Sequence, residues 1–291
     1  MTEPLSVAIR RGEIVESVHR VHAVAVQDGK IVAEAGDVGL MTSLRSSAKP
    51  IQALPLARAY GDLDENDLAI AAASHFGTEM HVQAVRELLR KTGGDERELD
   101  CGLQDGRPPE PIYHNCSGKH AGMIAVCRTH DWPVEGYRFP DHPLQHALHA
   151  EVAAAAELDP TEVPTGLDGC GVVCFALPLE RAALAFSRLA ETRVADAMVA
   201  RPELVGGDGG TDTELMRTLP GWIAKGGAEG LMCAASSDGL GLAVKTQDGN
   251  SRALRPALAA FGAALGVDLS RFAEQALQNS HGEPAARVTR V

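Results

Sequence analysis

The run Val18-His-Arg-Val-His-Ala-Val-Ala-Val26 constrains the fold more than any other stretch of the chain. Written as a strand, it puts Val21, Ala23 and Ala25 on one side and His22, Val24 and Val26 on the other. Successive side chains of a strand point to opposite faces, so an apolar set on both sides fits a strand covered on both. Asp28-Gly29 follows, and then Ile31-Val-Ala33, which is the pattern of a tight hairpin. Leu5-Ser-Val-Ala-Ile9 supplies an earlier strand, so the chain opens antiparallel.

Helical patterns fill the middle. Residues 78–92 carry the clearest stripe, Val82, Val85, Leu88 and Leu89, with Thr78 as cap and Gly93-Gly94 as stop. Helices are also expected over residues 50–60, which Pro55 should kink or restart, and over 66–73. Further helices are expected at Pro143–Glu157, at Leu177–Ala195, from Glu214, and from Arg252 to Leu265, while Ala121–Val126 should begin a buried one. Residues 103–115 read as a loop, Thr165–Cys174 as a turn into a short strand, Ala224-Lys-Gly-Gly227 as a tight turn and Leu240–Val244 as a strand. Strands at both ends around a helical centre predict an α+β fold, with a terminal-strand antiparallel sheet and a helical insert. No linker divides residues 1–291, so a single domain is expected.

Charge and composition exclude several function classes. A net charge of −12 disfavours nucleic acid and anionic membrane surfaces as partners. Met1-Thr-Glu-Pro-Leu5 has no apolar secretory core, and runs such as Glu151–Leu158 are too short to span a bilayer. The six cysteines show no disulfide-framework spacing and read as reduced thiols. A cytoplasmic protein is the expectation.

The chemistry begins at Arg45-Ser-Ser-Ala-Lys-Pro50, where Ser46 and Lys49 stand three apart. A serine hydroxyl becomes a good nucleophile when a base takes its proton, and a lysine serves as that base if burial or a nearby cation lowers its pKa. Taking Ser47 as an N-cap puts Pro50 at the third helical position, where no intrahelical donor is lost, and leaves Ser46 just outside the helix. Other short polar motifs are scattered along the chain: Ala73-Ser74-His75, Cys116-Ser-Gly-Lys119-His120, Asp168-Gly-Cys170, and Lys225 among glycines. The glycine-rich Gly206–Gly210 stretch lacks the Gly-Lys-Ser/Thr of a P-loop.

Together these motifs resemble the class 3, rhizobial-type L-asparaginases, the asparaginase-II family. The resemblance covers nearly the whole chain. It runs from Arg11-Gly-Glu-Ile-Val-Glu-Ser-Val-His-Arg-Val-His22 through the Ser46 and Ser74 motifs to Asn115-Cys-Ser-Gly-Lys-His-Ala-Gly-Met123, Pro140-Asp-His-Pro-Leu-Gln145 and Leu167-Asp-Gly-Cys170. It implies a fold like that of serine β-lactamases and glutaminases, and a homodimer. It also implies two serine–lysine pairs, with Ser46 the nucleophile served by Lys49 and Ser74 served by Lys225. Zinc would be held by Cys116, Lys119 and Cys170. Arg45 and Asp168 would suit the carboxylate and ammonium of an amino acid, with His75 also contacting substrate. The implied reaction is hydrolysis of the L-asparagine side-chain amide. Rival readings are a glutaminase or β-lactam-interacting enzyme of the same fold, or a non-catalytic protein that binds zinc or an amino acid. This chain departs from the family in a compact segment between Glu180 and Pro202, in Gly210 where the family tends to carry Arg, and in the second serine at Ser47. Its tail after Ser280 also lacks the expected glycine-rich strand.

Overall fold

The computed structural model describes residues 2–291. The chain begins with β1 (Leu5–Arg11), β2 (Ile14–Gln27), β3 (Lys30–Ala35) and β4 (Met41–Ser43). The first helices are α1 (Lys49–Gln52), α2 (Leu54–Ala59), α3 (Glu65–Ala71), α4 (Glu79–Thr92), α5 (Ser117–Thr129) and α6 (Pro143–Ala155). Then come β5 (Thr165–Leu167), β6 (Val173–Pro178), α7 (Leu179–Ser187), α8 (Arg193–Ala200), α9 (Pro202–Gly206) and α10 (Thr211–Thr218). The last part holds β7 (Ile223–Gly227), β8 (Leu231–Ala235), β9 (Gly241–Thr246), α11 (Leu254–Ala264), β10 (Glu274–Gln278) and β11 (Pro284–Arg290).

The main sheet runs β10-β11-β1-β2-β9-β8-β7, with β3 also on β2, and its pairings are antiparallel. The α+β expectation holds: strands from the two chain ends meet where Ile9 pairs with Val288. A small second sheet, β4-β6-β5, lies within the helical part. Val21 through Val26 are all buried, on both faces of β2, as the apolar pattern required. α7 and α11 both pack on the central strands. The hairpin forms at Asp28 and Gly29, which take positive φ of 50° and 71° as a two-residue turn demands. No helix among the described residues is long and apolar enough to cross a membrane.

Several expectations are corrected. Ala224–Gly227 is not a turn but strand β7, and the reversal comes at Glu229 and Gly230, with φ of 61° and 65°. The glycines serve close packing: a Cβ on Gly227 would lie 2.5 Å from the Leu44 carbonyl oxygen. The helix expected over Leu177–Ala195 is interrupted. Val173, Phe175 and Leu177 are buried while their neighbours are half-buried, a period-two pattern that extends β6 to Pro178; α7 stops at Ser187 and Thr192 caps a new helix. α10 starts three residues before Glu214. The glycine-poor tail still forms strand β11, because Ala286 and Val288 bury against the core. Pro55 restarts the early helix as α2, and Gly93 stops α4 at φ 74°, as expected; the Thr78 hydroxyl bonds His81 Nδ1 at 2.6 Å in place of a backbone cap.

Candidate active site

Ser46 lies in a single 3-10 turn, Arg45–Ala48, between β4 and α1. Ser47 is therefore not a helix cap. Its buried hydroxyl donates to the Lys225 carbonyl at 2.8 Å and so ties the turn to β7, while half-buried Ser46 faces a cleft. The two adjacent serines thus have different tasks. Pro50 sits in the first turn of α1, where its missing N–H leaves no bond unmade. Arg45 has a φ of 46°, a left-handed conformation that disfavours a residue with a Cβ. The strain adjoins Ser46, and the ion pair from Arg45 Nε to Asp168 Oδ1 at 2.7 Å braces it.

Lys49 has no solvent exposure. Its ammonium donates to Ala73 O at 2.6 Å, Ser74 Oγ at 2.9 Å and Asn115 O at 3.3 Å. Among the described residues it has no carboxylate within ion-pair distance. Burial therefore pushes its pKa down, with Lys119 and Lys225 acting in the same sense against an opposing contribution from Cys116. The pairing implied by the resemblance, Lys49 with Ser46, is not the hydrogen bond this arrangement makes; Lys49 is bonded to Ser74.

α3 delivers Ser74, whose backbone N–H reaches Val205 O at 2.8 Å. His75 turns inward. Its Nδ1 accepts from the Gly77 N–H at 3.1 Å, which leaves Nε2–H to donate to Ser117 Oγ at 2.9 Å. Burial and the stacked His81 ring hold His75 neutral, well below the usual histidine range. A side chain with no exposure cannot touch substrate directly, so His75 shapes the Ser74 turn instead.

Lys225 projects from β7 and is 1% exposed. Its nitrogen bonds Asp212 Oδ2 at 2.6 Å and Gly226 O at 3.1 Å. Ser74 is not its partner in this structure. The motif reading missed Asp212. The available signal was an acid two residues after a glycine-rich stretch, ahead of a helix. Ser46, Ser74, Asn115, Asp212 and Lys225 line one cavity of about 670 Å³, with Phe76 and the Gly209–Gly210 loop on its wall.

Cys116, Lys119 and Cys170 also converge. Lys119 Nζ lies 3.1 Å from Cys170 Sγ and 3.9 Å from Asp168 Oδ2. The two thiols influence each other, so that Cys116 is lowered and Cys170 raised, and Lys49 and Lys119 add to the depression of Cys116. Burial opposes the charge on Lys119, but the facing sulfurs outweigh it and raise its pKa. Two sulfurs and one nitrogen form a soft donor set that fits zinc, provided the metal displaces the lysine proton. No group of three or more His, Cys, Asp or Glu side chains among the described residues is gathered to hold a metal. Arg45 and Asp168, expected to receive opposite ends of a substrate, are bonded to each other.

Among curated proteins none matches the chain in sequence. Among solved structures it is similar to Mglu in its native form, at 14% identity and TM-score 0.39, covering 86% of this chain and 66% of that one. It is also similar to a β-lactamase from Mycobacterium bovis, at 16% identity and TM-score 0.40, covering 84% of this chain and 94% of that one. A Bacillus glutaminase is similar at 13% identity and TM-score 0.39, with coverages of 85% and 91%. The chain thus spans slightly under two thirds of the Mglu chain. The family model for L-asparaginase II matches residues 7–290, from the first strand to the last, and takes in every motif that forms the cleft and the cysteine–lysine cluster. The chain belongs to the L-asparaginase II family.

Proposed function

We propose that this chain is an amidohydrolase that converts L-asparagine to L-aspartate and ammonia through a serine acyl-enzyme. Family membership supports the amidohydrolase class. The observation that carries the serine–lysine reading is the meeting of Ser46, Ser74 and Lys225 on one cleft, above a buried Lys49 bonded to Ser74.

In this reading Ser46 Oγ attacks the side-chain amide carbon, and its proton passes through the Ser74 hydroxyl to the Lys49 amine. Desolvated and without a carboxylate partner, Lys49 is suited to accept it. The oxyanion meets the Ser46 N–H, which lies in the first turn of a 3-10 helix where no intrahelical acceptor reaches it. Return of the proton to the amide nitrogen breaks the C–N bond and releases ammonia. Water then adds to the Ser46 ester and gives a proton to the same amine; collapse breaks the ester C–O bond, frees aspartate and returns that proton through Ser74 to the Ser46 oxygen. Arg45 and Asp168 receive the substrate carboxylate and ammonium once their mutual bond opens. Cys116, Lys119 and Cys170 would hold zinc, which when bound supplies a fixed positive charge that shapes the pocket.

Side-by-side assay of ammonia release from L-asparagine and L-glutamine, with nitrocefin as a third compound, tests the reading. The expected result is asparagine turnover that Ser46→Ala abolishes. Preference for glutamine or opening of nitrocefin would move the chain to a rival enzyme class. Zinc or amino-acid binding without turnover of any of the three would identify a binding protein.

A further inference from the structure

The two buried lysines of the cleft have opposite surroundings. Neutral oxygens surround the Lys49 ammonium, whereas that of Lys225 meets a carboxylate. That carboxylate, Asp212, has a side chain only 12% exposed. It lies in the first turn of α10, yet its Oδ2 reaches across to β7, accepting from Lys225 Nζ at 2.6 Å and from the Gly226 N–H at 3.1 Å. An acid serving only its own helix would face that helix's free N–H groups.

The surroundings hold Asp212 in this pose from several directions. A Cβ on Gly226 would come within 3.0 Å of Asp212 Oδ1, so the glycine leaves room for the carboxylate to lie along the strand. Arg255 of α11 donates to Gly209 O at 3.0 Å and Thr211 Oγ1 at 3.2 Å, just ahead of Asp212. On the other side, the Thr213 hydroxyl donates to Pro202 O at 2.9 Å. A lysine on a flexible four-carbon stem gains a single orientation from such a short charge-assisted bond.

We propose that Asp212 is the positioning residue for Lys225 and that it separates the roles of the two lysines. Lys49 takes and returns the proton, while Lys225 stands as a fixed cation over the cleft, where negative charge develops in the transition state. This rests on the serine–lysine reading of the site.

Two readouts keep that reading and this inference apart: asparagine kinetics, and the rate at which a fluorophosphonate labels Ser46, followed by mass spectrometry. Asp212→Asn should lower kcat by about 10²-fold with KM within about threefold, and slow Ser46 labelling in parallel. Asp212→Glu, which keeps the carboxylate, should recover at least about tenfold of that loss. In a Lys225→Met background, Asp212→Asn should add nothing, because its effect runs through the lysine. An Asp212→Asn enzyme within about threefold of wild type in kcat and labelling overturns the inference and leaves the serine reading intact. So do losses that multiply in the double variant, or an Asp212→Glu enzyme no better than Asp212→Asn. Failure of the wild-type chain to label at Ser46 defeats the serine reading, and this inference with it.

Discussion

The Lys49 ammonium lies 2.9 Å from the hydroxyl of Ser74, 25 positions along the chain, and not on the serine three residues before it. α1 begins at Lys49 itself, so the side chain leaves the helix start and runs inward to the end of α3. That places an amine against Ser74, and in the proposed reaction Ser74 is the proton carrier between Ser46 and Lys49.

Replacing either serine should therefore stop the reaction in different ways. Ser46→Ala removes the proposed nucleophile, and Ser74→Ala removes the hydroxyl that Lys49 holds. Each should lower kcat by at least about 10³-fold with an unchanged circular dichroism spectrum. Near-normal turnover in Ser46→Ala would sink the nucleophile assignment, and in Ser74→Ala it would sink the proton path.

Burial lowers the Lys49 pKa, so the fraction of neutral amine grows as pH rises through that lowered value. The expected profile of kcat/KM climbs from about pH 6 to an optimum near ~9. Lys49→Arg should be inactive at every pH, since guanidinium stays protonated. An optimum below about pH 7, or an active arginine variant, would show that another group is the base.

The cysteine–lysine cluster should bind about one zinc per chain. Protons on Cys170 and Lys119, both held above their usual pKa, compete with the metal, so occupancy should fall as pH falls. Cys116→Ser and Cys170→Ser should each release the ion. Elemental analysis that finds no zinc after zinc-replete, mildly alkaline purification would count against the site.

Gly118, between Cys116 and Lys119, lies where a Cβ would come 2.1 Å from the Ile70 carbonyl oxygen. Gly118→Ala must push α5 away from α3, at a cost of about 1–3 kcal/mol. It should lower the Tm by several degrees and weaken zinc retention together. A Tm equal to wild type would show that the contact between these helices yields freely.

The amino-acid sequence by itself determined the opening strands β1 to β3, strand β9 and most of the helices, while β7, β8, β10 and β11 emerged only in the folded sheet. A strand apolar on both faces, the Asp28-Gly29 turn and the stripe of residues 78–92 are local patterns whose periods match one backbone geometry each. Local pattern also picked out the serines, lysines and cysteines, since the chemistry depends on residue type. What it could not decide was which of them pair. Three-residue spacing brought Ser46 and Lys49 near one another in sequence, but the 3-10 turn and the bury-everything cost of a lysine sent Lys49 to three oxygens from distant loops. The glycines of 226 and 227 have the composition of a turn, yet they form a strand because two other segments need to approach within a Cβ's width. Asp212 became part of the site only when α10 was laid against β7. Hydrogen-bond partners of a buried charge are chosen by whatever oxygen the fold brings within 3 Å or so, and that choice belongs to the tertiary structure.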